Sequence, residues 1–142
     1  RESAFRQLLG EFTADEINEM SQALASAPVE LIGKPQSGLI MITASDGAGE
    51  AFHLGEALAQ TAEVEFAGAR GHATVLGSEP ERAVLAAMIG VLLRQPRGAI
   101  WLEAFWPVLE RAATNARTAR SKAEKLIAAT RVDFQSMAAE EI

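Results

Sequence analysis

The residues with chemistry to offer are few and scattered along the chain. His53 and Glu56, in Phe52-His53-Leu54-Gly55-Glu56, are of the types needed for an acid-base or metal-binding pair. A regular strand puts residues three apart on opposite faces, so the pair forms only if the chain bends at Gly55. Without that bend His53 is a half-exposed structural histidine. His72, after Gly71, reads as a hydrogen-bonded imidazole at a turn. Glu63 and Glu65 share one face of an alternating segment, which describes a solvated face or, less economically, a cation site. Gly47-Ala48-Gly49 lacks the third glycine, the Lys and the Ser/Thr of a phosphate loop, and no helix follows it, so it reads as a hairpin turn. Ser45-Asp46 is turn chemistry as well, with no histidine placed to make Ser45 a nucleophile. There is no Cys, which removes thiol nucleophiles, Cys-based zinc sites and iron-sulfur clusters, and is in keeping with a reducing compartment.

The more pronounced signal is basic. Between Arg111 and Arg131 lie Arg111, Arg117, Arg120, Lys122, Lys125 and Arg131 against the single acid Glu124. At 100° per residue, Arg111, Lys122 and Lys125 fall on one flank of an alanine-rich stripe, and Arg117, Arg120 and Arg131 on the other. Such side chains either snorkel into water or meet an acidic partner or a phosphate-rich ligand at the seam. Trp101, Phe105 and Trp106, around Pro107, are candidates for either core or interface anchor.

The elements that must position these residues follow from hydrophobic period. Phe5, Leu8, Leu9 and Phe12 mark a short helix; Thr13-Ala14-Asp15-Glu16 is a capping box that opens a second helix with its stripe at Ile17, Met20 and Leu24, running to Ala27 before Pro28. The middle region predicts strands at Val29 to Ile32, Leu39 to Ala44 (an apolar run of central-strand type), Glu50 to Leu54, Gln60 to Ala67 and His72 to Leu76. Their short connections require antiparallel pairing. Ser78-Glu79-Pro80-Glu81 predicts a second capping box, ahead of a helix apolar on most sides through Val84, Leu85, Met88, Ile89, Val91 and Leu92. Gln95-Pro96-Arg97-Gly98 ends it. The last helix carries a continuous stripe through Phe105, Val108, Leu109, Ala112, Ala116, Ala119, Ala123, Leu126 and Ile127. The architecture expected is α+β: two N-terminal helices, an antiparallel meander sheet of four or five strands, and C-terminal helices packed on one sheet face.

A single domain over residues 1–142 suits this length, and 49% hydrophobic residues can build one core without metal or disulfide staples. The net charge of −6 divides unevenly. It is −4 from Arg1 to Glu30, −3 from Leu31 to Gly77 and +1 from Ser78 onward. Acidity of this kind argues against nucleic-acid binding. No apolar run is long enough to span a membrane, and nothing at the start reads as a signal peptide. A cytoplasmic protein is expected.

Several stretches, in order, resemble the PhnG subunit family of the bacterial carbon-phosphorus lyase system. They are Gly38-Leu39-Ile40-Met41-Ile42 leading into Asp46-Gly47-Ala48-Gly49; Phe52-His53-Leu54-Gly55-Glu56; Thr61 to Phe66; Val75-Leu76-Gly77-Ser78-Glu79-Pro80-Glu81-Arg82-Ala83 with Leu85-Ala86-Ala87-Met88; and Thr130-Arg131-Val132-Asp133-Phe134 with Met137. The family tail usually has a second aromatic after Phe134 and a basic residue after Met137; this chain has Gln135 and Ala138 there. The resemblance implies an accessory, noncatalytic subunit of the complex that makes α-D-ribose 1-methylphosphonate 5-triphosphate and adenine from ATP and methylphosphonate. It further implies PhnI, PhnH and PhnJ as partners, catalysis on PhnI, ATP as a substrate of the complex, and no cofactor or metal held by this chain. The interface residues expected on that basis are His53, Glu56, Trp106, Arg117, Arg120, Arg131, Asp133 and Phe134. The alternatives are a stand-alone phosphate-ligand-binding domain using His53, Glu56 and the basic helix, and a homo-oligomeric scaffold, dimeric when isolated.

Overall fold

The computed structural model describes residues 2–131. Two short helices, α1 (Glu2–Leu8) and α2 (Ala14–Ala23), lead into four strands, β1 (Glu30–Leu31), β2 (Gln36–Ser45), β3 (Ala51–Phe66) and β4 (Ala69–Leu76). Three helices follow, α3 (Pro80–Arg94), α4 (Ala99–Leu102) and α5 (Phe105–Ala129). The α+β architecture expected from the periods is present.

The capping box of α2 forms as its residue types require. The Thr13 N–H donates to Glu16 Oε2 at 2.9 Å, and the Glu16 N–H donates to Thr13 Oγ1 at 3.2 Å. The helix itself ends at Ala23, and turns carry the chain on through Leu24 and Ala27, which remain buried. The second capping box does not form. Glu79, not Ser78, is the N-cap of α3, and no side chain caps the helix. Pro80, with its preset φ and missing N–H, takes the first helical position and moves the start one residue along. The Glu79 carboxylate turns to Arg82.

All pairing in the sheet is antiparallel, and β3 is its axis. The two segments expected at Glu50 to Leu54 and Gln60 to Ala67 are one 16-residue strand. Because β4 pairs with Ala59 through Phe66, both β1, at Val64 and Glu65, and β2, from Ala51 to Thr61, must lie on the opposite edge of β3. β1 and β2 therefore follow one another along a single edge.

The face of β3 that carries Ala62, Val64 and Phe66 is buried under α3. Gly71 of β4 lies opposite Val64 and is the point of closest approach. A Cβ there would stand 2.8 Å from Val91 Cβ and 2.9 Å from the Ala87 carbonyl oxygen. The other face is polar. Glu63 and Glu65 take ion pairs from Arg70 at 3.2 and 3.7 Å, and the Thr61 and Thr74 hydroxyls meet at 3.1 Å. Glu63 and Glu65 therefore form the wet face that their alternation predicts.

Buried Ala83, Leu85, Ala87, Ile89, Val91 and Leu92 make α3 the central helix, enclosed on most sides as its composition predicts. Phe5, Phe12, Phe105 and Trp106 join the N-terminal helices to α5 through tilted and edge-on ring contacts with centroids 5.2 to 6.4 Å apart. Arg82, its side chain only 12% exposed, fastens the same layer from below. It donates through Nη1 to the Leu9 carbonyl at 2.5 Å and through Nη2 to the Phe12 carbonyl at 2.7 Å, while Nε pairs with Glu79. The Leu9 carbonyl just past α1 and the Phe12 carbonyl in the turn before α2 lie outside both helices, and a largely buried guanidinium fork is well shaped to take the two.

Candidate functional site

β3 outruns its neighbours. β4 stops at Leu76, opposite Ala59, so residues 51–58 of β3 have β2 on one edge and, among the described residues, no strand on the other. At about 3.4 Å per residue the two-stranded ribbon continues for roughly 25 Å beyond the helix-covered sheet. Its base is pinned by buried Gln60, which accepts from Ser37 Oγ at 2.8 Å and donates to the Gly77 carbonyl at 3.3 Å, tying β2, β3 and the end of β4 together.

The ribbon is apolar on both faces and covered on neither. The pairing Leu39↔Leu58 and Met41↔Glu56 puts Leu39, Met41 and Leu58 on one face. Ile40, Ile42 and Phe52, through Ile40↔Ala57, Ile42↔Gly55 and Ala44↔Phe52, lie on the other. All six are exposed, Leu39 to 65%, as is Leu54 at 62%. The outer edge, β2, has no Lys, Arg, Asp, Glu or Pro in ten residues. Folded proteins that stay single usually blunt such an edge with charge, proline or a cover. The apolar run Leu39 to Ala44 therefore forms not a central strand, as its composition suggests, but an exposed edge.

A bulge decides the His53 and Glu56 question. The register shifts between Ile42↔Gly55 and Thr43↔His53, leaving Leu54 as the extra residue, with Gly55 at φ +140°, a value that side-chain-bearing residues rarely adopt. Thr43 and Met41 are two apart on β2 and share a face, so their partners His53 and Glu56 share it too. His53 Nδ1 lies 3.4 Å from Thr43 Oγ1, and both His53 and Glu56 are exposed. The bend at Gly55 that the pair requires is present, but it places them on an open ribbon surface. Among the described residues no three His, Asp or Glu side chains converge as a metal site.

At the ribbon's tip, Asp46 Oδ1 accepts from the N–H groups of Ala48 at 2.8 Å and Glu50 at 2.9 Å. A carboxylate fills the position where a phosphate would sit, so this loop is the hairpin turn the sequence predicts.

The basic helix is partly consumed within the molecule. Arg111 pairs with Glu19 and Arg120 with Glu11, and between them Asn115 Nδ2 donates to Glu16 Oε1 at 3.0 Å. The acids of the N-terminal segment are thus partners of α5. Burial alone raises the Glu16 carboxyl, but the hydrogen bonds from Asn115 and Thr13, with the Arg111 charge, more than offset this and hold it below the ordinary glutamate range. Beyond Ala116 no residue of α5 is buried. The stripe therefore splits. Its first half, Phe105, Leu109, Ala112, Ala113 and Ala116, is core; its second half, with Leu126 and Ile127, faces outward beside Lys122 and Arg131.

Of the other expected interface residues, Trp106 is half-buried, with its ring 5.2 Å from Phe105 and packed against the core. Asp133 and Phe134 lie outside the described residues. Sequence reasoning passed over Arg82 and Gln60, whose roles depend on carbonyls and hydroxyls brought from distant positions. It also missed the open ribbon. The one signal available was that Leu39 to Ile42 is apolar at both parities and Phe52, Leu54 and Leu58 add apolar residues, while the remaining segments supply too few strands to cover them.

The α+β scaffold exposes an unprotected apolar ribbon and a basic helix end, surfaces of the kind that protein-protein contacts cover. The sequence profile of the family described as "Phosphonate metabolism protein PhnG" matches residues 1–139. The chain is also 35% identical, over 134 residues, to the alpha-D-ribose 1-methylphosphonate 5-triphosphate synthase subunit PhnG of Rhizobium meliloti (strain 1021), an alignment covering 92% of this chain and 84% of that protein. The chain belongs to the PhnG family.

Proposed function

We propose that this chain is an accessory, noncatalytic subunit of an α-D-ribose 1-methylphosphonate 5-triphosphate synthase. It works in the cytoplasm within a complex that exchanges the adenine of ATP for methylphosphonate, and PhnI carries the catalysis. PhnH and PhnJ complete the partner set, and this chain holds no cofactor of its own. The observation that supports the reading best is the ribbon of β2 and residues 51–58 of β3, apolar on both faces and unprotected at its edge. A surface of that composition is ordinarily covered by another chain. The open placement of His53 and Glu56 is in keeping with the same reading, since neither lies in an enclosed site where water could be excluded.

The test is reconstitution. The chain alone, incubated with ATP and methylphosphonate, should release no adenine, and addition of PhnI should restore release. Leu39→Ser combined with Leu54→Ser should abolish co-purification with PhnI while leaving the melting temperature of the isolated chain unchanged. Adenine release by the isolated chain would refute the noncatalytic role. Undiminished co-purification of the ribbon variant would remove the ribbon as the docking element.

A further inference from the structure

The distal half of α5 is a second uncovered surface, far along the chain from the ribbon and of different chemistry. From residue 117 to residue 131 the helix and its cap carry five bases, Arg117, Arg120, Lys122, Lys125 and Arg131, against the single acid Glu124, a net +4 in a chain of −6. All fifteen positions are exposed, and Leu126 and Ile127 are 68% and 69% accessible. From Ala116, the last buried residue, to Ala129 the helix advances about 20 Å at 1.5 Å per residue. At 100° per residue Leu126 and Ile127 lie at the centre of one side. Arg131 rims that side on one flank, with Glu11-paired Arg120, and Lys122 rims it on the other, while Arg117 and Lys125 point away.

Resting on the reading of this chain as an assembly subunit, we propose that this segment seats in an apolar groove with acidic rims on a different partner protein. An apolar ridge between basic rims requires an apolar floor for Leu126 and Ile127 and carboxylates for Lys122 and Arg131. A second copy of the chain is a poor occupant. Helix-on-helix pairing across a twofold axis would set the basic rims against each other. The acids nearest α5 are also taken: Glu11 by Arg120, Glu16 by Asn115 and Glu19 by Arg111, while Glu63 and Glu65 hold Arg70.

The experiment measures binding of the full chain to purified PhnI at two salt concentrations. The rim variant Lys122→Glu, Arg131→Glu should weaken binding at least tenfold and flatten its salt dependence. Leu126→Ser with Ile127→Ser should weaken it comparably without altering the salt dependence. Lys125→Glu, the same charge change on the far side of the helix, should alter affinity by less than threefold. Equal loss from Lys125→Glu and from reversal of a single rim residue would overturn the seated geometry in favour of diffuse charge attraction. Unchanged affinity of the rim variant would overturn the proposal while leaving the subunit reading intact, whereas failure of the unaltered chain to bind PhnI would overturn both. A dimer of the isolated chain, abolished by the rim variant, would assign this surface to a second copy.

Discussion

Arg82→Met tests the claim that one guanidinium fastens the N-terminal helices to α3. Methionine keeps the apolar stem and removes the fork. The substitution deletes two charge-assisted hydrogen bonds, at 2.5 Å to the Leu9 carbonyl and 2.7 Å to the Phe12 carbonyl, in a setting where the arginine side chain is 12% exposed. At the lower end of the range for hydrogen bonds to charged groups, about 1.5 kcal/mol each, the loss is about 3 kcal/mol. The pair with half-exposed Glu79 adds less than about 1 kcal/mol because water screens it. For a domain of this size about 3 kcal/mol corresponds to a melting temperature lowered by roughly 10 °C. Urea unfolding should therefore show an earlier midpoint with an unchanged slope, since the surface exposed on unfolding is the same. Amides of α1 and of the turn to α2 should exchange faster than those of β3. Arg82→Lys should recover less than half of the loss, because an ammonium cannot span both carbonyls as a planar fork does. An unfolding free energy for Arg82→Met within about 1 kcal/mol of the parent chain's would refute the assignment.

Gly71→Ala should destabilise by about 1–3 kcal/mol in the same urea assay, because its Cβ would meet Val91 and the Ala87 carbonyl and push α3 off the sheet. Glu16 contributes in a defined pH window. Its folded pKa is lowered, so its stabilisation is complete above the unfolded glutamate value and disappears as pH falls through the lower folded one. Glu16→Gln should accordingly make the acid limb of a stability-against-pH profile shallower, while a variant profile superimposing on the parent's would show that Asn115 and Thr13 do not hold the carboxylate. Gln60→Ala should loosen the base of the ribbon, read as faster amide exchange in residues 37–45 and 51–58 with α3 unaffected.

The helices were legible because their signals are local. The Thr13 capping box, the 3.6-residue stripe of α2 and the enclosed composition of α3 each depend on neighbours within a few turns. The failed capping box at Ser78 is equally instructive, since Pro80 and the pull of Arg82 on Glu79 outweighed the motif. Alternation at Thr61 to Phe66 located the buried face of β3, because burial on one side leaves a period of two. Leu39 to Ala44 misled for the converse reason: an apolar run has the same composition whether or not another layer of this chain covers it.

Taken by itself, the sequence determined the α+β class, the antiparallel pairing, the polar sheet face, the hairpin turn at Asp46 and the concentration of positive charge in the last helix. Tertiary structure alone decided what those features face. It joined two strands into one, placed a bulge that brings His53 and Glu56 to one side, spent Arg111 on Glu19 of α2 and Arg120 on Glu11 of the turn before it, and left the ribbon and the end of α5 uncovered. The division has one physical cause. Periodicity and capping report interactions over a few residues, whereas register shifts, ion pairs between residues some ninety or more positions apart, and the absence of a covering layer depend on where the whole chain has gone.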